Sequence, residues 1–225
     1  MGFKLGTNPL EIKDHCRARL GKYLVQAISV LPSINKVIIL DMGCGTGVPT
    51  IILSKRFKGS IYAVDTNEDA INVLKQKISS SHLIHRIFAI QRSVYDLTFT
   101  PNYFDIILAE GLFNIIGFEE GLKLTNRFIK ENGYVIVHDE CTNQKGKEGI
   151  IKKLGFKLIH SFMLDEQVWW NDYYQCLEKK INSLGMNITA TLFKNEISEI
   201  NRFKEQPWLF RSMYYVLIRQ PKQPS

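Results

Sequence analysis

Residues 37–47 read VIILDMGCGTG. The apolar run Val37–Leu40 leads into Asp41, and glycines follow at positions 43, 45 and 47. The run suits a strand buried on both faces. The glycines suit a turn made largely of backbone, because a residue without Cβ enters positive φ freely and lets a ligand approach the main chain. Residues 48–57 read as the helix that follows, and its first N–H groups, unpaired within the helix, point into the turn. Open α/β sheets bind their ligands at this place, the carboxyl end of a parallel strand.

Spacing narrows the ligand. A dinucleotide turn requires G-x-G-x-x-G. Gly43 and Gly45 fit that pattern, but the third glycine, Gly47, stands one place early and Val48 occupies the required position. A second strand, 61–64 (IYAV), ends at Asp65, with Thr66 and Asn67 after it. An acid at that strand end can accept the two hydroxyl hydrogens of a ribose. Its distance from the glycines, roughly twenty residues, is that of a βαβ unit. Asn67 is the better candidate to cap the helix over 68–79, and Asp65 could share that role.

The D-x-G-x-G-x-G form of residues 41–47 resembles the first motif of the class I S-adenosylmethionine-dependent methyltransferases. The core F-D-I-I-L at 104–108 is similar to that family's fourth strand. A helix over 120–130, the turn Glu131-Asn132-Gly133 and the strand Tyr134–His138 are similar to its L-K-P-G-G-x-L-x-V segment. Residues 110–122 (EGLFNIIGFEEGL) resemble a small-molecule subset grouped with the ubiquinone/menaquinone methyltransferases. The resemblance covers about residues 34–140. It implies a Rossmann-like α/β sandwich, a seven-stranded and mostly parallel sheet with helices on both faces. The last strand, Ser212–Arg219, would return antiparallel between strand five and strand six, Phe156–Leu164. It also implies S-adenosylmethionine as cofactor and S-adenosylhomocysteine as product. The implied cofactor contacts are Asp41, Gly43, Cys44, Gly45, Asp65, Thr66, Ser93, Val94 and Glu110. Ser93 departs from the family, many of whose members carry an acid there against the adenine amino group. Weaker adenine binding is therefore expected, with the Val94 N–H facing a ring nitrogen.

Transfer of a methyl group from a sulfonium is an in-line displacement with a neutral leaving group. Alignment and exclusion of water matter most, and a base is needed only where the nucleophile starts protonated. The family accordingly has no fixed catalytic residue. The candidates are Glu110, at the end of strand four, and His138, at the end of strand five, where an imidazole could act as a base near neutral pH. Each has a plainer role open to it, Glu110 as a loop anchor and His138 as a hydrogen-bonded structural residue. Asp139 and Glu140 stand beside them.

Where the family usually needs only a hairpin, between strands six and seven, residues 165–211 intervene. They open on Trp169-Trp170-Asn171-Asp172-Tyr173-Tyr174. Trp169 and Tyr173 lie one helical turn apart, as do Trp170 and Tyr174. This insertion is expected to form a helical lid, with Asn114, Trp169, Trp170 and Tyr173 as acceptor-binding candidates. The alternative is that its aromatics only pack. Aromatic walls would suit a flat or cationic acceptor.

Bulk properties fit one domain: an N-terminal helical cover over 1–33, a core sheet over 34–164 and 212–220, and the insertion. Apolar residues make up 45% of the 225, enough for a substantial core. No apolar run reaches the length of a bilayer span, and the start of the chain carries no signal-peptide core. A cytoplasmic protein without a membrane partner is expected. Cys16, Cys44, Cys141 and Cys176 are scattered, so neither a metal site nor a disulfide is expected, and free thiols are the default. The net charge is +7, spread along the chain and densest over 145–157. The position of the N/D-P-P-Y/F motif of exocyclic-amine methyltransferases reads Ala109-Glu110-Gly111-Leu112. A small-molecule acceptor is thus expected rather than nucleic acid. Three other functions stay open: a cofactor-binding protein without turnover, an RNA methyltransferase and an NAD-dependent oxidoreductase. Oligomeric state is not legible. The polar tail 220–225 is expected to be loose.

Overall fold

The structure is a computed structural model and describes residues 8–184 and 192–221. Its frame is a seven-stranded sheet in the order β3-β2-β1-β4-β5-β7-β6. The strands are β1 (Val37–Met42), β2 (Gly59–Asp65), β3 (Ile87–Gln91), β4 (Phe104–Glu110), β5 (Ile129–Glu140), β6 (Phe156–Leu164) and β7 (Ser212–Arg219). Strand β7 runs antiparallel to both neighbours, and the pairs from β3 to β5 are parallel. Strand order reverses between β1 and β4, which opens a crevice at their carboxyl ends.

Side-chain alternation divides the core. Val37 and Ile39 of β1 face one layer, with Leu24, Ile28, Leu53 and Leu74 from helices α2 (Gly21–Ser29), α3 (Val48–Arg56) and α4 (Glu68–Ser80). Leu40 and Met42 face the other, with Phe113, Leu122, Phe128 and Ile151 from α5 (Phe113–Ile116), α6 (Phe118–Phe128) and α7 (Gln144–Lys153). Both faces of the strand are apolar because both are covered. Phe104 is fully buried among Tyr62, Phe99 and Tyr103. Truncating a ring so enclosed to Ala costs about 3–5 kcal/mol. Asp105 ties β1 to β4 by accepting from Ile38 N (2.8 Å) and Lys130 Nζ (2.7 Å).

A third apolar cluster joins the N-terminal helix α1 (Pro9–Arg17) to the insertion. The insertion forms α8 (Glu166–Trp169), widens into a π turn over Trp170–Tyr174, and continues as α9 (Gln175–Asn182) and α10 (Lys194–Glu205). Tyr23 donates to Asp172 (2.7 Å), and Lys13 pairs with Glu196 (3.0 Å).

Two expectations need correction. Cys16 and Cys176 are not free thiols: they form a disulfide across this cluster, while Cys44 and Cys141 remain free. The two lie on separate helices that meet only through tertiary packing, so their spacing carried no sign of the bond. Helix α6 ends at Phe128, before the expected Lys130. Residues 129–133 already belong to β5, and Asn132, at φ 60°, sits in a register shift between Ile129 and Tyr134. The expected turn at Glu131-Asn132-Gly133 thus falls inside β5, where residues 130–133 stand opposite Asp105 alone on β4. Of the tail, residues 222–225 lie outside the described residues. Among the described residues no helix is long and apolar enough to cross a membrane.

Candidate active site

A cavity of about 440 Å³ opens at the carboxyl ends of β1, β2 and β4, within the size range of small-molecule sites. The glycine turn forms its floor. Gly45 has φ 52°, and a Cβ placed there would meet nothing within 4 Å, so the backbone faces open space. Gly47 has a different reason to be glycine: at φ 80° its Cβ would collide with Leu74 at 2.3 Å. Pro49 follows as the second residue of α3, and its missing N–H costs nothing in a first turn.

Asp65 holds this turn in shape. One carboxylate oxygen accepts from Gly45 N (2.8 Å) and the other from Asn67 N (2.9 Å). Asn67 caps α4 through Ala70 N (2.9 Å). The turn is braced from behind as well. Lys77 Nζ donates to the Thr46 carbonyl (2.8 Å) and to Asp14, which also accepts from the Thr46 hydroxyl.

Of the cofactor candidates, Gly43, Cys44, Gly45, Asp65, Thr66, Ser93, Val94 and Glu110 line this one cavity, and Arg17 and Arg92 join them. Asp41 does not. It lies buried behind the turn, where it accepts from Thr50 Oγ1 at 2.6 Å. Desolvation pushes its pKa up to about 7, against the opposing bond from Thr50. Glu110 is also raised by burial, and Arg17 and the Tyr214 hydroxyl pull it partly back. Ser93 accepts from Tyr95 N (3.2 Å) and so caps the short turn Val94–Asp96.

A second cavity of about 280 Å³ meets the first at Arg17 and Gly111. Asn114, His138, Trp169 and Tyr173 all line it. Trp170 does not line it but stacks on Phe203 at 5.9 Å. His138 is fixed in place between two rings: Tyr214 stacks on it at 4.3 Å and Trp169 at 6.0 Å. Its Nε2 lies 2.8 Å from Ser212 Oγ, which also accepts from Trp169 Nε1 (3.0 Å). Burial, helped by the charge of Arg17, pushes its pKa down to about 3. An imidazole so placed is neutral and a weak base, so the near-neutral base chemistry expected from the residue type does not follow at this position.

Arg17, Ser212 and Glu199 line these cavities and were missed, as was Tyr214, which stacks on His138 and bonds to Glu110. Arg17 is one cation on a helix of otherwise ordinary composition, and no motif marks it. Tyr214 was within reach, since strand alternation from the buried Val216 puts it on the same face.

A family model described as a methyltransferase domain matches residues 35–181. Ribosomal protein L11 methyltransferase of Ruminiclostridium cellulolyticum is 29% identical over 62% of this chain and 44% of that protein. Ubiquinone/menaquinone biosynthesis C-methyltransferase of Vibrio cholerae is 31% identical over 44% of this chain and 39% of that protein. The chain thus spans less than half the length of either relative. Among solved structures, the [4+2]-cyclase SpnF superposes with a TM-score of 0.75 at 12% identity, over 90% of this chain and 81% of that one. At that identity the likeness concerns the fold alone.

Proposed function

We infer that this chain, which belongs to the methyltransferase domain family, uses S-adenosylmethionine to methylate a small-molecule acceptor. One observation carries the cofactor assignment: the Gly45 backbone faces open cavity while its N–H is held by Asp65, the acid at the end of the next strand. That arrangement fits a ligand with a ribose and a chain that must lie close to the main chain. Bound there, the cofactor would supply an electrophilic methyl group and keep the carbon–sulfur bonding pair on leaving. The residues of this chain do the rest. Gly43–Gly45 and Asp65 would hold it, with Ser93 and Val94 at the adenine end. Arg17 and Gly111 stand where the two cavities meet, and Glu110 lines the first. The second cavity, of about 280 Å³, suits a small acceptor better than a protein or nucleic-acid segment. Since His138 is held neutral with a low pKa, orientation and exclusion of water carry more of the catalysis than proton abstraction by that residue.

Calorimetry tests the assignment. S-adenosylhomocysteine should bind saturably, and NAD should not. Saturable NAD binding with no heat from S-adenosylhomocysteine would reject it. Binding without methyl transfer to any acceptor in a broad panel would favour a cofactor-binding protein that has no turnover.

A further inference from the structure

The second cavity has an uneven charge. Arg211 is engaged by Glu166 through two bonds of 2.6 and 2.7 Å. Asp139 is matched by Lys147 at 2.5 Å. Two carboxylates, Glu140 and Glu199, lack a cation within ion-pair distance among the described residues. Glu199 is half-buried, and its contact is a hydrogen bond from the Tyr174 hydroxyl (2.6 Å). Arg17 is the remaining cation, and its charge reaches Tyr173 and Tyr174 on this side as well as Glu110 and Asp41 on the cofactor side.

The walls are aromatic. Trp169, Tyr173, Tyr174 and Phe210 line the cavity as a connected ring cluster, with centroids 6.0, 4.9 and 5.6 Å apart in succession. Burial and the Glu199 charge raise both tyrosine pKa values, so the phenols stay neutral. Ring faces carry negative charge density and attract cations. A carboxylate without a counter-ion beside them attracts the same species. An anionic ligand would have Arg17 to pair with but would meet Glu140 and Glu199, and a neutral one would leave Glu199 without a counter-ion, held by the Tyr174 hydroxyl.

We propose that the acceptor is a small amine, bound as its ammonium ion among Trp169, Tyr173 and Tyr174 with Glu199 as counter-ion. The proposal rests on the methyltransferase assignment above and names its substrate class. The nitrogen gives its proton to Glu199, and from there to water at the mouth. Its lone pair then forms the N–CH3 bond, and the pair of the breaking S–CH3 bond stays on sulfur.

The test uses three probes of one shape: benzylamine, benzyl alcohol and benzoate. Each is titrated calorimetrically into the full chain, alone and loaded with S-adenosylhomocysteine. Benzylamine should bind at least about tenfold tighter than benzyl alcohol, and benzoate more weakly than either. Glu199→Gln keeps an acceptor for Tyr174 and should cost about tenfold for benzylamine, with benzyl alcohol and S-adenosylhomocysteine unchanged. Equal or reversed preference, no binding by any probe, or an unaffected Glu199→Gln variant overturns the amine. Failure of S-adenosylhomocysteine to bind, with the benzylamine preference intact, would instead reject the cofactor assignment and leave the cation site standing.

Discussion

Tyr214 on β7 donates its hydroxyl to the carboxylate of Glu110 on β4, reaching across the intervening strand β5. Glu110 lines the cofactor cavity, and Tyr214 stacks on His138, so one bond couples three strand ends. Tyr214→Phe keeps the ring and removes the donor. A buried carboxylate that loses its donor costs about 1–3 kcal/mol. The Glu110 pKa is already raised by burial, and the Tyr214 bond lowers it. The variant should raise it further. A raised carboxylate contributes stability below its unfolded pKa and loses it as pH climbs through the folded value. The loss in Tyr214→Phe should therefore be larger at pH 8 than at pH 5 in urea unfolding. An equal loss at both would show that the hydroxyl does not bear on Glu110 ionisation.

Asp41 is a second buried carboxylate whose pKa is raised by desolvation. Its folded pKa is about 7 against 3.8 for the free side chain. Its contribution to stability is complete below about pH 4 and falls away as pH rises through 7. Asp41→Asn keeps an oxygen for Thr50 but cannot ionise. The stability of Asp41→Asn relative to the natural chain should rise between pH 4 and pH 8, with a ceiling of about 4 kcal/mol. A flat difference over that range would place the Asp41 pKa near its ordinary value.

Asp65 has a double duty, since it shapes the glycine turn and faces the cavity. Asp65→Ala should weaken S-adenosylhomocysteine by about 1.5–3 kcal/mol, the scale of a hydrogen bond to a charged group. Asp65→Asn, which retains one acceptor oxygen, should fall between. Unchanged calorimetric affinity in a folded Asp65→Ala protein would mean that the ribose is held elsewhere.

Much of the sheet was legible because strand, turn and helix patterns are set by near neighbours. The run Val37–Leu40, the glycines after it and Asp65 come together through a single βαβ unit. The bounds of β6 and β7 follow from their local patterns, whereas the place of β7 between β5 and β6 was implied only by the family resemblance. The acceptor side was less legible for a physical reason. Arg17, Glu110, His138, Ser212 and Tyr214 come from one helix and three strands far apart in the chain, and their contacts depend on packing. The type of His138 suggested a base, and only the structure shows its burial against two rings, which lowers its pKa. The Cys16–Cys176 bond spans 160 residues and answers to no local pattern.

Ser93 stands where an acid is common in the resembled family, and here it caps the turn Val94–Asp96. Asp is as good a cap as Ser, so Ser93→Asp should fold normally. It should tighten S-adenosylhomocysteine or leave it unchanged, as read by calorimetry. Abolished binding in a folded variant would show that residues 93–99 meet the adenine in another register.

The insertion is tied to α1 by the Cys16–Cys176 bond and the Lys13–Glu196 ion pair, and to α2 by the Tyr23–Asp172 hydrogen bond. Segments that admit a ligand open more easily than the core. Amide exchange should therefore be faster across 168–180 than across 37–41, and S-adenosylhomocysteine with an acceptor should slow it more than S-adenosylhomocysteine alone. Closing a loop of this length across a chain contributes up to about 5 kcal/mol, so the disulfide should limit that opening. Replacing both Cys16 and Cys176 by Ser should speed exchange in α1 and in 168–180 together, with β1 and β4 little changed. A reducing agent should do the same to the natural chain and nothing to the variant. If instead exchange in 168–180 matches that of β1, ignores ligands and ignores reduction, the insertion is core. Trp169 and Tyr173 would then be packing residues, and the acceptor would have to sit nearer Glu110 and Asn114.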